Sequence, residues 1–261
     1  MFTRAIVRKP GNNFADGITT TKLGNPNYEL ALNQHDQYCE ALKKCGLKLT
    51  ILESDIKYPD GCFVEDVAII TEKCAIISRL GNSARQGEEE KIKEVLSRKM
   101  KIENIKSPGT VDGGDILRIK NHFYIGLSKR TNQRGANQLK SILLNYGYTA
   151  STVPVKNILH LKTGITYIGR DNIVSIQDFS DRFKEFNVIQ TDKDESYSAN
   201  CLFVNDFLLI PKGFPKMRQK ILDLRYKIIE VEMSEFRKMD GGLTCLSLLS
   251  WYNFCKLFLI C

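Results

Sequence analysis

The sequence predicts an α/β protein folded as a closed ring of five similar units, and three observations carry that prediction. A unit of strand, tight turn, strand, helix and strand recurs four times. The two chain ends hold the pieces of a fifth unit. The polar clusters of the chain fall at one register, just ahead of the first strand of a unit. Units that each bury one face against their neighbours suggest a ring, and a ring gathers the ends of its inner strands around one central mouth. An ordinary α/β sheet with coincidental spacing is the competing reading.

In the first unit, residues 67–71 and 74–78 form short apolar strands around a turn at Glu72 and Lys73. A charged amphipathic helix over 88–99 and a strand near Ile102 follow. The second unit has strands at 116–119 and 123–126 around a turn at 120–122 that contains His122, then a helix over 132–145 and a strand at 150–155. The third has strands at 166–168 and 173–176 around a turn at 170–172, a weak helix over 179–186 and a strand at 188–190. The fourth has strands at 201–204 and 207–211 around Asn205 and Asp206, a helix over 215–224 and a strand at 227–231. A strand over 243–248, with the N-terminal pieces 5–7, 28–43 and 47–52, completes the fifth.

With 261 residues, 43% of them hydrophobic, the chain can bury a large core without covalent staples. It contains no charged start followed by an apolar run, and no stretch of the roughly 20 apolar residues that span a bilayer. It therefore reads as a cytoplasmic protein with no membrane partner. The eight cysteines show no CxxC spacing and read mostly as reduced core thiols. The three histidines, His35, His122 and His160, lie at no ligand spacing from one another or from a cysteine, which argues against zinc. The net charge of +8 is interleaved with acids, as over 88–101, and describes solvated helix faces rather than a nucleic-acid surface.

The chemistry lies in four clusters. Tyr58-Pro59-Asp60-Gly61-Cys62-Phe63-Val64-Glu65-Asp66 places three carboxylates ahead of an apolar strand. Buried acids need water or a cation to satisfy them, and a planar guanidinium suits a carboxylate pair, although acids also cap ordinary turns. Val111-Asp112-Gly113-Gly114-Asp115 stands in the same place in the second unit. His160, between two leucines, stands there in the third; Cys245, behind Asp240-Gly241-Gly242, stands there in the fifth. A thiol, an imidazole and a carboxylate are the parts of a nucleophile, base and orienting group, whereas a buried thiol is also an ordinary small hydrophobe. Nothing around Arg85 or Arg130 distinguishes them from solvated surface charges.

Six motifs in order, FVEDVAII, TVDGGDI, GLSKRTNQRGA, LHLKTG, SYSANC and DGGLTC, make nearly the whole chain resemble the dimethylarginine dimethylaminohydrolases, especially the bacterial ones. That resemblance implies the five-bladed α/β propeller of guanidine-modifying enzymes, with pseudo-fivefold ββαβ-type repeats. It implies Cys245 as nucleophile, His160 as general acid/base and Asp112 as the carboxylate orienting it. Glu65 and Asp66 would hold the substrate guanidinium. Asp60 and the carbonyls of Ile18 and Met239 would receive the α-ammonium, and Arg85 and Arg130 the α-carboxylate. Ile18 lies in a segment, 16–24, that forms a lid in the family, where leucine is more familiar. Phe63 would supply apolar space for the leaving group. No metal or organic cofactor is implied.

The implied reaction is hydrolysis of a methylated arginine, the small-molecule partner, to citrulline and an amine. Arginine deiminase, amidinotransferase and a silent arginine-binding module remain alternatives. Residues 1–249 read as one catalytic domain, and 250–261 as an apolar extension without an assigned role, to which self-association as a homodimer is open.

Overall fold

The structure, a computed structural model, describes residues 1–251. Five three-stranded sheets form the blades of the expected α/β ring, each an antiparallel pair to which a third strand adds in parallel. Parallel addition needs a crossover, and a helical segment supplies it in each blade. Blade one joins Ala68–Ile70, Ala75–Ile77 and, after the helix Glu89–Ser97, Ile102–Asn104. Blade two joins Ile116–Ile119, His122–Leu127 and, after Gln133–Asn145, Thr149–Pro154. Blade three joins Ile165–Tyr167, Asn172–Ser175 and Asn187–Gln190. Blade four joins Leu202–Val204, Phe207–Pro211 and, after Pro215–Asp223, Lys227–Val231. Blade five joins both ends of the fold: Leu248–Ser250 pairs antiparallel with Arg4–Arg8, which pairs in parallel with Lys48–Leu52 after the helix Tyr28–Lys44.

The blades close into a ring because each strand packs two ways. Side chains alternate across a strand, so Ile69 and Ile76 of blade one face blade two, while Ala68, Ile70, Ala75 and Ile77 face Ile6 and Leu248 of blade five. The same alternation sends Ile116, Phe123 and Ile125 of blade two toward blade one, and Leu117 and Ile119 toward blade three. Blades three and four share a cluster around Ile168, Val174 and Leu208, and blades four and five one around Val204, Leu209 and Ala5. Every adjacent pair thus owns one apolar cluster. A strand buried on both faces reads as a continuous apolar run, and each large side chain so buried contributes about 1.5–3 kcal/mol.

Helix starts follow their capping residues. The Asn27 side chain accepts from Leu30 N–H at 2.9 Å, and the Asn132 side chain from Gly135 N–H at 2.8 Å. At Gly135 a Cβ would lie 2.0 Å from the Thr110 carbonyl oxygen, so only glycine lets this helix approach the segment that links blade one to blade two.

Four expectations need correction. The strand over 243–248 is half turn: Thr244–Leu246 curls into a 3-10 turn and the strand runs Leu248–Ser250. Ser250, placed in the extension, therefore belongs to blade five, opposite Arg4; residues 252–261 lie outside the described residues. The helix over 179–186 is two short turns, Gln177–Ser180 and Asp181–Phe183. His122 opens a strand rather than sitting in the hairpin turn, with both ring nitrogens bonded across the sheet to Thr149 and Ser151. Among the described residues no helix is long and apolar enough to cross a membrane.

Candidate active site

Each inner strand is entered through a short helical turn: Val64–Val67, Gly113–Asp115, Leu161–Gly164, Lys193–Ala199 and Thr244–Leu246. Neighbouring turns touch around the ring, and Asn200 closes the round by bonding to Thr244. Ten residues were expected to form the site: the turns carry or adjoin five of them, and Ile18, Asp60, Arg85, Arg130 and Met239 line one cleft with Asp66, His160 and Cys245. Glu65 and Asp66 lie in the first turn, Asp112 just before the second, His160 just before the third, and Cys245 within the fifth.

His160 is held from two blades. One ring nitrogen, Nε2, lies 3.0 Å from Asp112 Oδ2, and Asp112 Oδ1 accepts from Gly81 N–H at 2.8 Å. Beside a buried carboxylate, Nε2 carries the proton. Asp115 fixes the turn that follows, accepting from Leu161 N–H at 2.9 Å and from the Ser128 hydroxyl at 2.6 Å. Gly114 passes so close that an added Cβ would sit 2.6 Å from His160 Nδ1 and 2.9 Å from Asp66 Oδ1. Gly114→Ala is therefore expected to lower kcat about 100-fold by displacing His160 and Asp66, as a misplacement near 1 Å does. Steady-state assay with a circular-dichroism control checks this; wild-type kcat in a folded variant would show the close approach to be unimportant.

The acids are already paired with cations and N–H groups. Glu65 bonds to Lys162 Nζ and accepts from the Thr244 hydroxyl at 2.8 Å. Asp66 accepts from Gly114 N–H at 2.9 Å and from Arg85 Nη1 at 2.7 Å. Arg85 is buried and forks onto Glu88, with Nε–Oε1 at 3.0 Å and Nη2–Oε2 at 2.9 Å. It is no surface charge, and its donors serve Asp66 and Glu88. Arg130 is half-buried, and its buried Nη1 has no hydrogen-bond partner among the described residues. Asp60 accepts from Ile18 N–H at 3.1 and 3.2 Å, so that residue meets the acid through its N–H. The segment 16–24 is anchored at Asp240, which accepts from Thr20 N–H at 2.5 Å and from its hydroxyl at 3.0 Å.

Two clefts meet at Cys245 and His160. The first is narrow and lined by Ile18, Asp60, Phe63, Arg85, Arg130 and Met239. The second has a volume of about 320 Å³ and continues past Glu65 and Lys162 toward Leu23, Ile158, Ile176 and Tyr197. Phe63 lines the first and packs against Phe14 and Phe236.

Burial, then the carboxylates of Glu65 and Asp66, push the Cys245 thiol up to about 12. Burial alone would lower His160, but the Asp66 carboxylate, the bond to Asp112 and the Asp115 charge raise it to about 9. Burial opposes ionisation of Asp66, yet His160 and Arg85 hold it down at about 2. At neutral pH the site therefore rests as a neutral thiol beside an imidazolium and a carboxylate. Asp66, Asp112 and His160 offer ligand atoms within 4.8 Å of one another, a spacing that could suit a metal ion. Their oxygens are already engaged by Arg85, Gly114, Gly81 and His160, which leaves such an ion poorly served.

Sequence reasoning missed Lys162, Thr244 and Asn200. Asn200 accepts from Thr244 N–H at 3.0 Å and donates to the Thr244 hydroxyl at 3.1 Å and the Lys162 carbonyl at 2.9 Å, tying the Cys245 turn to the His160 turn. All three stand inside the motifs LHLKTG, SYSANC and DGGLTC, which is the signal that could have found them.

A five-bladed α/β propeller with a thiol and a carboxylate-bound imidazole at its mouth defines the class, that of the guanidine-modifying enzymes. The family profile described as N,N dimethylarginine dimethylhydrolase, eukaryotic, matches residues 9–247. The N(G),N(G)-dimethylarginine dimethylaminohydrolase of Pseudomonas aeruginosa is 44% identical, over 95% of this chain and 99% of its own. That of Streptomyces coelicolor is 31% identical, over 94% and 95%. A mutant of the P. aeruginosa protein solved with citrulline superposes with a TM-score of 0.95 at 44% identity, covering 96% of this chain and 100% of that one. The N-terminal domain of a cyanobacterial arginine dihydrolase, at 17% identity and a TM-score of 0.85 over 95% and 97%, shares the fold. The chain belongs to the dimethylarginine dimethylaminohydrolase family.

Proposed function

We propose that the protein is a dimethylargininase, hydrolysing Nω-methylated arginine to citrulline and methylamine or dimethylamine through a covalent bond to Cys245. The observation that carries this reading is the meeting of Cys245, the His160–Asp112 pair and the Glu65–Asp66 carboxylates at one mouth. The relatives support it: one P. aeruginosa structure holds citrulline, and another family member is an adduct with S-methyl-L-thiocitrulline. Residues 1–250 act as one catalytic domain in this reading, since the turns of all five blades contribute. The buried free thiols Cys39, Cys45, Cys62, Cys74 and Cys201 suit a reducing compartment, which supports a cytoplasmic location.

The resting charges explain how the chemistry starts. A thiol near 12 is a poor nucleophile, but a bound guanidinium beside Glu65 and Asp66 offsets the negative field that holds the proton on sulfur. That proton leaves to solvent, because His160 is already protonated. The thiolate then attacks the guanidinium carbon, and the imidazolium of His160 gives its proton to the departing amine. Neutral His160 next takes a proton from water, whose oxygen attacks the same carbon. The carbon–sulfur bond breaks and citrulline leaves. In the first cleft Asp60 faces the α-ammonium and Arg130, with its partnerless Nη1, the α-carboxylate. Arg85 then acts mainly by holding Asp66.

The test is citrulline and amine release from asymmetric dimethylarginine, monomethylarginine and arginine. The methylated substrates are expected to show the higher kcat/KM, by a modest factor, because an apolar pocket discriminates a missing methyl by only about 1–3 kcal/mol. Ammonia from arginine as the main product would make the enzyme a deiminase. Arg130→Ala is expected to raise KM about 10- to 100-fold with kcat nearly unchanged, since the contact is the same in ground and transition states. A loss confined to kcat would place Arg130 at the reacting centre instead.

A further inference from the structure

We propose that the second cleft is the subsite for the departing amine, and that it admits Nω-alkyl substituents larger than methyl, such as propyl. This rests on the dimethylargininase reading and extends it. The first cleft accounts for the amino-acid end of a substrate, so a guanidinium carbon at Cys245 directs its far nitrogen into the other opening. His160, which must reach that nitrogen with a proton, lines this cleft as well. Leu23, Ile158, Ile176 and Tyr197 are among the residues that line it, together with polar ones such as Lys162, Ser196 and Asn200, and all four are partly exposed. Dimethylamine matches only a few waters of about 30 Å³ each, whereas the cleft holds about 320 Å³. An apolar wall that a methyl group cannot cover suits a longer alkyl chain.

The geometry behind the size limit is local. Ile158 and Ile176 both press on Gly164, where a Cβ would meet Ile176 Cδ1 at 2.8 Å and Ile158 Cδ1 at 3.0 Å. Their tips are therefore seated on the turn that follows His160, so bulk added there must grow into the cleft. Leu23 faces it from the lid and is 50% exposed, so changes at that position leave the core alone. For Nω-propyl-L-arginine the step is the same. A bond forms between Cys245 Sγ and the guanidinium carbon, the bond from that carbon to the propyl-bearing nitrogen breaks, and His160 protonates that nitrogen. Water completes the release of citrulline and propylamine.

The experiment compares Nω-methyl- and Nω-propyl-L-arginine with the purified full-length protein, reading citrulline and the liberated amine. The propyl compound is expected to keep kcat/KM within about tenfold of the methyl compound, the range set by a methylene or two in an apolar pocket. Ile176→Phe, which fills the cleft, is expected to lower the propyl-to-methyl ratio of kcat/KM more than about tenfold. Leu23→Trp on the lid should act in the same direction and cannot fail by disrupting the core. Methyl turnover with propyl turnover below about one hundredth of it would overturn the proposal and leave the dimethylargininase reading standing. Equal losses on both substrates in both variants would also overturn it. Turnover of neither compound by the unaltered protein would instead remove the reading beneath it.

Discussion

Cys245→Ser is expected to leave the propeller folded and to lower turnover by at least about 10⁴-fold, the scale seen when the nucleophile of a catalytic unit is removed. The fold should tolerate the change because Cys245 sits in a 3-10 turn, where its sulfur accepts from Gly242 N–H at 3.4 Å. A hydroxyl can accept that bond but has no accessible anion. Citrulline release and a thermal melt on the same preparation decide the matter. Activity within tenfold of the wild type would remove Cys245 from the mechanism. Cys201 then becomes the next thiol to test, although burial holds it up at about 12 in a fully enclosed position.

His160→Asn is the second large effect, and it should separate two steps that Cys245→Ser abolishes together. Asparagine can still donate to Asp112, so the turn at 161–164 is expected to survive, but no proton reaches the leaving amine. Turnover should fall about 10²- to 10⁴-fold, while a reactive amidine still alkylates Cys245, because Glu65 and Asp66 continue to hold the cation. In the unaltered enzyme the acid role has a pH signature. His160 titrates near 9, so it is protonated and active as an acid below that value. Activity should fall as pH rises through it, and the small residual activity of His160→Asn should lack that limb. Alkylation lost in parallel with turnover would show that His160 also forms the thiolate.

The ring was legible in the sequence because strands buried on both faces, such as Ala68–Ile70 and Ala75–Ile77, hold no polar residue of their own. There the polar cluster breaks the run, and the motifs resembling one family assign Cys245, His160 and Asp112. Less visible was how those residues are held. The turn at Thr244–Leu246 passes for strand because its residues are as apolar as the strand that follows, and only its contacts with the other turns curl it. Arg85 looks solvent-exposed in sequence, since its partners Asp66 and Glu88 reveal themselves only when the loop folds back on blade one. The Glu65–Lys162 pair joins two blades, and no periodicity encodes such a meeting.

The pairing of Leu248–Ser250 with Arg4–Arg8 has a bearing on biosynthesis. A nascent chain emerges from its N-terminus at about 5–20 residues per second. The acids, the imidazole and the arginines are therefore made before the sulfur that reacts, and that sulfur takes its place only when the last strand finds the first. Until then the emerging polypeptide carries the rest of the site without its reactive group.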